Sequence, residues 1–316
     1  MPFVQEEFFL EDEIKAFVFV MKKFNLSMSQ AQRMIDKGRV LLEGNRLKDK
    51  SQILKGRVEI VHFKPISRGL KPFFRAKDFV IFEKPSKVLV HPKKMTTPYS
   101  MLDEVRSFGG NGANFAHRID KETSGILLAT LNQKAESFFK SSFEAKKIQK
   151  SYRAWVFGEV KNNFSIQRSI SINNDYSKTK HKVFIDPKGK EAKTLFSPIY
   201  YDKEKDVTLL ECIPLTGRTH QIRIHLFFAQ YPIVGDPLYG RSFEVAEKYL
   251  EERLTQEERV YFSGANRLML HAYKLEFKYK NRFIIFSQND FKDELKAIAP
   301  KQARQNLIFD GWKKSL

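Results

Sequence analysis

Apolar residues recur along this chain in two periods, which sort it into segments. Near the N-terminus Phe17, Val20, Met21 and Phe24 repeat every three or four residues, as one buried helix face does. Ala31, Met34 and Ile35 repeat that spacing and predict a second helix over residues 29–37, stopped by Gly38. Short strands follow over 40–43 and 58–62, with a Gly44-Asn45 turn after the first. Residues 14–63 bury too little surface for a large domain, so they read as an accessory module. Residues 64–76, punctuated by Pro65, Gly69 and Pro72, read as a linker. From 77 to 296 the period-two pattern dominates, with strands expected over 78–82, 126–128, 150–158, 207–213, 268–272 and 283–286. Helices are expected over 132–147, with Ala135, Phe138, Phe139 and Phe143 inward, and over the charged stretch 244–258. The basic tail, 297–316, reads as loosely held.

Charge changes the picture more than overall composition does. The chain carries 56 Lys and Arg against 37 Asp and Glu, a net charge of +19, which puts polyanions first among its partners and a membrane surface second. No apolar run approaches the ~20 residues that span a bilayer. The residues before Lys15 hold no base, so they do not read as a signal peptide. A soluble, cytoplasmic, monomeric protein with no membrane partner is expected. The charge is unevenly spread: residues 1–13 hold five acids and no base and read as a solvated, acidic lead-in, whereas 14–63 hold eleven bases against four acids. The single cysteine, Cys212, excludes an internal disulfide and a cysteine-built zinc cluster, and its apolar neighbours mark it as a buried thiol.

Two clusters carry candidate chemistry. His117-Arg118-Ile119-Asp120-Lys121-Glu122-Thr123-Ser124-Gly125 runs from ionisable residues through a turn into an apolar strand, placing Asp120 on a loop held by the core. In isolation such an Asp reads as a cap on its own turn. The second cluster, Thr216-Gly217-Arg218-Thr219-His220-Gln221-Ile222-Arg223-Ile224-His225, holds two arginines and two histidines. Its histidines are five apart rather than the four that would share a helix face around a metal, and no metal is expected. Gly109, Gly110 and Gly112 are not closed by Gly-Lys-Ser/Thr, so a phosphate-loop nucleotide hydrolase is excluded. Lys84, His91 and the loop 231–240 read as structural, and basic turns are expected at Lys178-Thr179-Lys180 and around Lys188.

Taken together, these stretches resemble known families. Met34 to Val40, Glu43-Gly44-Asn45 and Lys55 to Ile60 resemble the small alpha-L, S-four-type RNA-binding fold of a ribosomal protein. That resemblance makes Gln30, Arg33, Lys37 and Arg39 candidate RNA contacts. His117 to Gly125, Lys150 to Gly158 and Thr216 to His225, followed by Ile233-Val234-Gly235-Asp236-Pro237-Leu238-Tyr239-Gly240, resemble in order the motifs of RluA/RluD-type RNA pseudouridine synthases over residues 78–290. One departure is Glu83-Lys84-Pro85-Ser86-Lys87, where the family has a glycine at the last position.

The resemblance implies an α+β fold: a mixed, mostly antiparallel sheet flanked by helices, plus the small α/β module. It also implies an isomerase that detaches uracil from ribose, turns it and rejoins it through ring carbon five, with no cofactor. Asp120 matches the family's catalytic carboxylate, Arg223 the arginine paired with it, and Tyr152 the tyrosine that stacks on the base and accepts or relays a proton. Arg118 matches the residue that fills the stack vacated by a flipped nucleotide. His117 and Thr123 are expected to support the loop, Ile222 and Leu270 to wall the pocket, and Arg218 to meet RNA. Structured RNA is the expected partner, with large-subunit ribosomal RNA favoured and tRNA the alternative. Two rivals remain at this stage. A non-enzymatic RNA-binding or ribosome-assembly protein leaves the joint presence of Asp120, Tyr152 and Arg223 unexplained. A metal-dependent nuclease lacks its acidic cluster.

Overall fold

A computed structural model describes residues 1–173 and 183–309. The expected basic turn at Lys178-Thr179-Lys180 and the last residues of the tail lie outside them. In chain order the elements begin β1 (Phe3–Lys15), α1 (Ala16–Phe24), α2 (Met28–Asp36), β2 (Val40–Leu42), β3 (Asn45–Arg46) and β4 (Ile53–Phe63). There follow β5 (Phe74–Arg75), β6 (Phe79–Lys84), α3 (Met101–Gly109), β7 (Asn114–Phe115), β8 (Ser124–Thr130), α4 (Gln133–Glu144) and β9 (Gln149–Phe157). The chain continues through β10 (Phe164–Gln167), β11 (Ile170–Ile172), β12 (Val183–Ile185), β13 (Lys193–Asp202), β14 (Val207–Pro214) and α5 (Gln221–Phe228). It closes with α6 (Phe243–Leu250), α7 (Gln256–Ser263), β15 (Leu270–Tyr279), β16 (Asn281–Phe286) and α8 (Pro300–Gln305). No described helix is long and apolar enough to cross a membrane.

The residues fall into two compact units, one of Met1–Val80, Leu89–Ala116 and Leu128–Ser137, the other of Ile81–Val88, His117–Leu127 and Phe138–Leu316. In the first, a sheet of order β1-β4-β2-β3 packs α1 and α2 over Val20, Ala31, Ile35, Val40, Leu54, Val58 and Ile60. The acidic stretch expected as a solvated lead-in is instead strand β1, antiparallel to β4 from Phe3↔Phe63 to Lys15↔Ile53 with a bulge between Leu10 and Ile14. Phe8, Leu10 and Ile14 pack on the module's core. Two acids of β1 meet bases of β4, Glu6 with His62 at 3.1 Å and Glu7 with Arg57 at 3.9 Å. The stretch expected as a linker is also tied down. Ile66 N–H donates to the Asp103 carboxylate, and Ser67 Oγ–H and Arg68 N–H donate to that of Glu104; both carboxylates are buried.

The second unit is built on a sheet of order β10-β13-β14-β9-β15-β8, with β16 added to β15. Its ladders are antiparallel except β15 with β8, which run parallel through His271↔Ser124 and Ala272↔Gly125. Trp155, Leu209, Leu210, Cys212, Leu226, Met269 and Phe291 form its main core, so Cys212 is the buried thiol expected. Gly125 has φ +107°, and a Cβ there would lie 2.2 Å from Ala272 O, so only glycine lets these strands approach. The charged stretch read as one helix is two, α6 and α7. Thr255 starts α7 by accepting from Glu258 N–H, while the Glu258 side chain accepts from Thr255 N–H. The tail is docked rather than loose as far as it is described: Ile298 and Ala303 are buried, and Arg241 donates to Ala303 O.

Candidate active site

The loop from His117 to Thr123 is anchored at three of its backbone carbonyls. Asp120 O accepts from Thr123 N–H, Lys121 O from Lys84 Nζ at 3.0 Å, and Glu122 O from Ser86 Oγ at 2.6 Å. Lys84 is 1% exposed and also donates to Pro85 O and Val88 O. Burial pulls its pKa down to about 7, with Glu122 and Asp120 opposing. Lys84 is therefore the structural residue expected, and what it secures is the Asp120 turn. Lys87, standing where the resemblance calls for glycine, keeps the left-handed backbone at φ +66°.

Opposite that loop, β14 delivers the chain to α5 through His220, which takes φ +52°. The Arg223 side chain is 3% exposed. It is not primarily the partner of Asp120. Its Nε and Nη2 donate to the two carboxylate oxygens of Asp236, each at 2.7 Å, while Nη1 lies 3.8 Å from Asp120 Oδ2. A planar fork satisfied on both prongs leaves one edge for the second carboxylate. Asp236 also accepts from Leu238 N–H and Tyr239 N–H. Burial raises the Asp236 carboxyl, but Arg223 and those donors outweigh it and hold it below the usual range. Burial likewise works against the Arg223 charge, and Asp236 more than restores it. His220 completes the group, its Nε2 lying 3.2 Å from Arg223 Nη1 and 3.8 Å from Asp120 Oδ2, its Nδ1 2.9 Å from the Tyr239 hydroxyl.

Arg118, Asp120, Thr123, Tyr152, Arg218, Ile222, Arg223 and Leu270 line one cleft of about 100 Å³, together with Lys150, Thr216, His220 and Gln221. A roomier hollow of about 820 Å³ lies among Lys205, Val260, Tyr261, Ile298 and Pro300 and holds none of these groups. Burial, and then the Asp120 charge, lift the Tyr152 phenol above its ordinary range, so it stays protonated near neutrality. Arg218 is exposed at the rim, its Nε donating to Glu191 O at 3.1 Å. His117 does not line the cleft. It stacks on Phe143 with ring centroids 4.5 Å apart, and burial with Lys150 holds its pKa down at about 3.

The candidate RNA contacts on the module lie in the other compact unit and differ among themselves. Arg33 and Lys37 are exposed. Gln30 is spent on the N-terminal cap of α2, its Oε1 accepting from Ser27 N–H at 2.9 Å. Arg39 is partly buried, its guanidinium 4.8 Å from the centre of the Phe3 ring. Sequence reasoning passed over Asp236 and His220 as site residues. In the sequence Asp236 appears only as an acid within the turn Gly235-Asp236-Pro237, a signal that does not name Arg223 as its partner.

Comparison with known proteins gives the chain relatives over most of its length. A family model described as RNA pseudouridylate synthase matches residues 78–227, and an S4 domain model matches residues 16–60. An uncharacterized RNA pseudouridine synthase of Helicobacter pylori is 41% identical over 281 residues, 89% of this chain and 92% of its own. Ribosomal large subunit pseudouridine synthase C of Vibrio vulnificus is 30% identical over 271 residues, 79% of each chain. The solved structure of human RNA Pseudouridylate Synthase Domain Containing 1 shares the fold, with a TM-score of 0.59 at 23% identity over 78% of this chain and 93% of that one.

Proposed function

The chain belongs to the RNA pseudouridylate synthase family, and on that premise we propose that Asp120, Tyr152 and Arg223 carry out its isomerisation, with large-subunit ribosomal RNA as the substrate. The observation that carries this reading is the placement of the Asp120 carboxylate between Arg223 and His220, 3.8 Å from each, in a cleft that Tyr152 also lines. The reaction breaks the N1–C1′ bond of uridine and forms a C5–C1′ bond, while a proton leaves C5 and one is gained at N1. No electrons are exchanged. Asp120 supplies the negative charge that attacks or steadies the detached fragment, and Arg223, fixed by Asp236, orients it. A phenol held protonated serves as a ring face and a hydroxyl rather than as a phenolate. Tyr152 therefore stacks on the base and relays a proton through that hydroxyl.

A base inside a helix reaches this cleft only by extrusion, which costs roughly a few kcal/mol. Arg118, exposed beside the cleft, fills the vacated stack, and Ile222 and Leu270 wall the base. The net charge of +19 supplies phosphate contacts that position the RNA without reading its sequence. Ribosomal RNA is preferred over tRNA because Vibrio vulnificus and Haemophilus influenzae relatives are named ribosomal large subunit pseudouridine synthase C. One chain provides every group named, so we assign the activity to a monomer, and a ribosomal RNA substrate, as the names of the relatives suggest, fits a cytoplasmic protein. The test is Asp120→Asn, assayed on total RNA from cells lacking the protein. Conversion is expected to disappear while RNA affinity stays within about twofold; turnover by that variant would remove Asp120 from the mechanism. Mapping the sites that the unaltered protein restores decides between ribosomal RNA and tRNA.

A further inference from the structure

The helical segment α6–α7 follows the cleft-lining motifs and contributes no wall to the cleft, yet it reaches both sides of the acid–guanidinium pair. Glu122, two residues after Asp120, is buried. Its Oε2 accepts from Arg259 Nη2 of α7 at 2.8 Å and its Oε1 from the Tyr249 hydroxyl of α6 at 3.0 Å. The same Arg259 Nη2 donates its other hydrogen to Gly235 O at 2.9 Å. Gly235 precedes Asp236, whose carboxylate holds Arg223. That turn is close-packed: Gly235 has φ +77°, and a Cβ there would lie 1.7 Å from Arg267 O. One guanidinium from a remote helix thus ties the loop carrying Asp120 to the turn carrying the clamp on Arg223.

We propose that Arg259 and Glu122 are positioning residues for the reaction, setting the separation of Asp120 and Arg223 and giving α6–α7 its role as a brace. The inference rests on the reading that Asp120 and Arg223 form the reacting pair. A buried pair that served stability alone would give a different result from one that sets geometry. Removing one partner leaves the other charge buried and uncompensated and lowers stability, whereas removing both relieves that penalty. Geometry, once lost, does not return with the charge balance. A displacement of about 1 Å at reacting groups costs on the order of a hundredfold in rate.

The experiment uses the full chain and total RNA from cells lacking it, under single-turnover conditions with enzyme saturating and well below the melting temperature. Glu122→Gln, Arg259→Gln and the double variant are compared for rate, RNA affinity and melting temperature. Both single variants are expected to lose about ten- to hundredfold in rate, with RNA affinity within about twofold and a lowered melting temperature. The double variant is expected to regain melting temperature and remain slow. Glu252→Gln, which breaks only the exposed 3.4 Å pair with Lys121, is expected to keep the full rate. Wild-type rates in the single variants, or a rate that recovers in the double variant along with its stability, would overturn the proposal. Asp120→Asn, run alongside, separates the two readings. If it is inactive while the brace variants are fast, only the brace falls; if it is active, the assignment of the reacting pair falls.

Discussion

Lys87 holds a backbone conformation that a side chain disfavours by about 1–2 kcal/mol, and that glycine adopts freely. Burial lowers its ammonium pKa, and the charges of Arg259, Arg267 and Lys121 lower it further. Lys87→Gly should therefore stabilise the fold by about 0.5–1 kcal/mol after allowance for the greater freedom of glycine in the unfolded chain. Urea unfolding checks this: the midpoint should rise at constant slope, and a lower midpoint would show that the lysine side chain makes a compensating contact. The sequence exposed the departure at this position without indicating whether the loop had changed its path. The loop on either side of Lys87 is held by Lys84, whose ammonium donates to Pro85 O and Val88 O, contacts that residue type alone does not announce. The same limit explains Arg223. Its charge and its approach to Asp120 could be read from the motif, but the stronger claim of Asp236 depends on a turn folding back across α5.

Helix α2 shows how an element sorts residues that the sequence treats alike. Its capping box engages Gln30, and Phe3 of β1 lies against the Arg39 guanidinium, leaving Arg33 and Lys37 as the exposed basic side chains of the four candidates. Replacing both with alanine should weaken RNA binding and flatten its dependence on salt by about one unit of slope for each lost phosphate contact. The single-turnover rate with saturating enzyme should hold. An unchanged salt slope would show that RNA reaches the module by another face. Elements with a strong period, such as α1, α2 and β9, were legible from spacing alone. The break between α6 and α7 was written in Thr255 and Glu258 but hidden by uniform charge. Strand β1 was missed because five acids outweighed the alternation of Phe8, Leu10 and Ile14.

Across the whole molecule, acid should be the damaging extreme. His271 is 1% exposed, bonded to Ser124 and Ser287, and burial with Arg267 and Arg153 pulls its pKa down to about 3. The unfolded chain takes up that proton near pH 6.5 and the folded chain does not until about 3. Its stabilising contribution is therefore complete above pH 6.5 and lost as pH falls toward 3, at up to about 1.4 kcal/mol per unit. Unfolding midpoints at pH 7.5, 6 and 5 should fall in that order, and His271→Gln should flatten the trend; a midpoint insensitive to pH in the wild type would contradict the burial of this ring. The first ladder pair of the N-terminal module joins Phe3 to Phe63. A chain emerging from the ribosome N-terminus first cannot close that ladder until the last strand of the module has been made. For that interval Phe8, Leu10 and Ile14 wait without cover among five carboxylates, which keep the nascent segment from sticking to its neighbours and from capturing RNA before the fold exists to direct it.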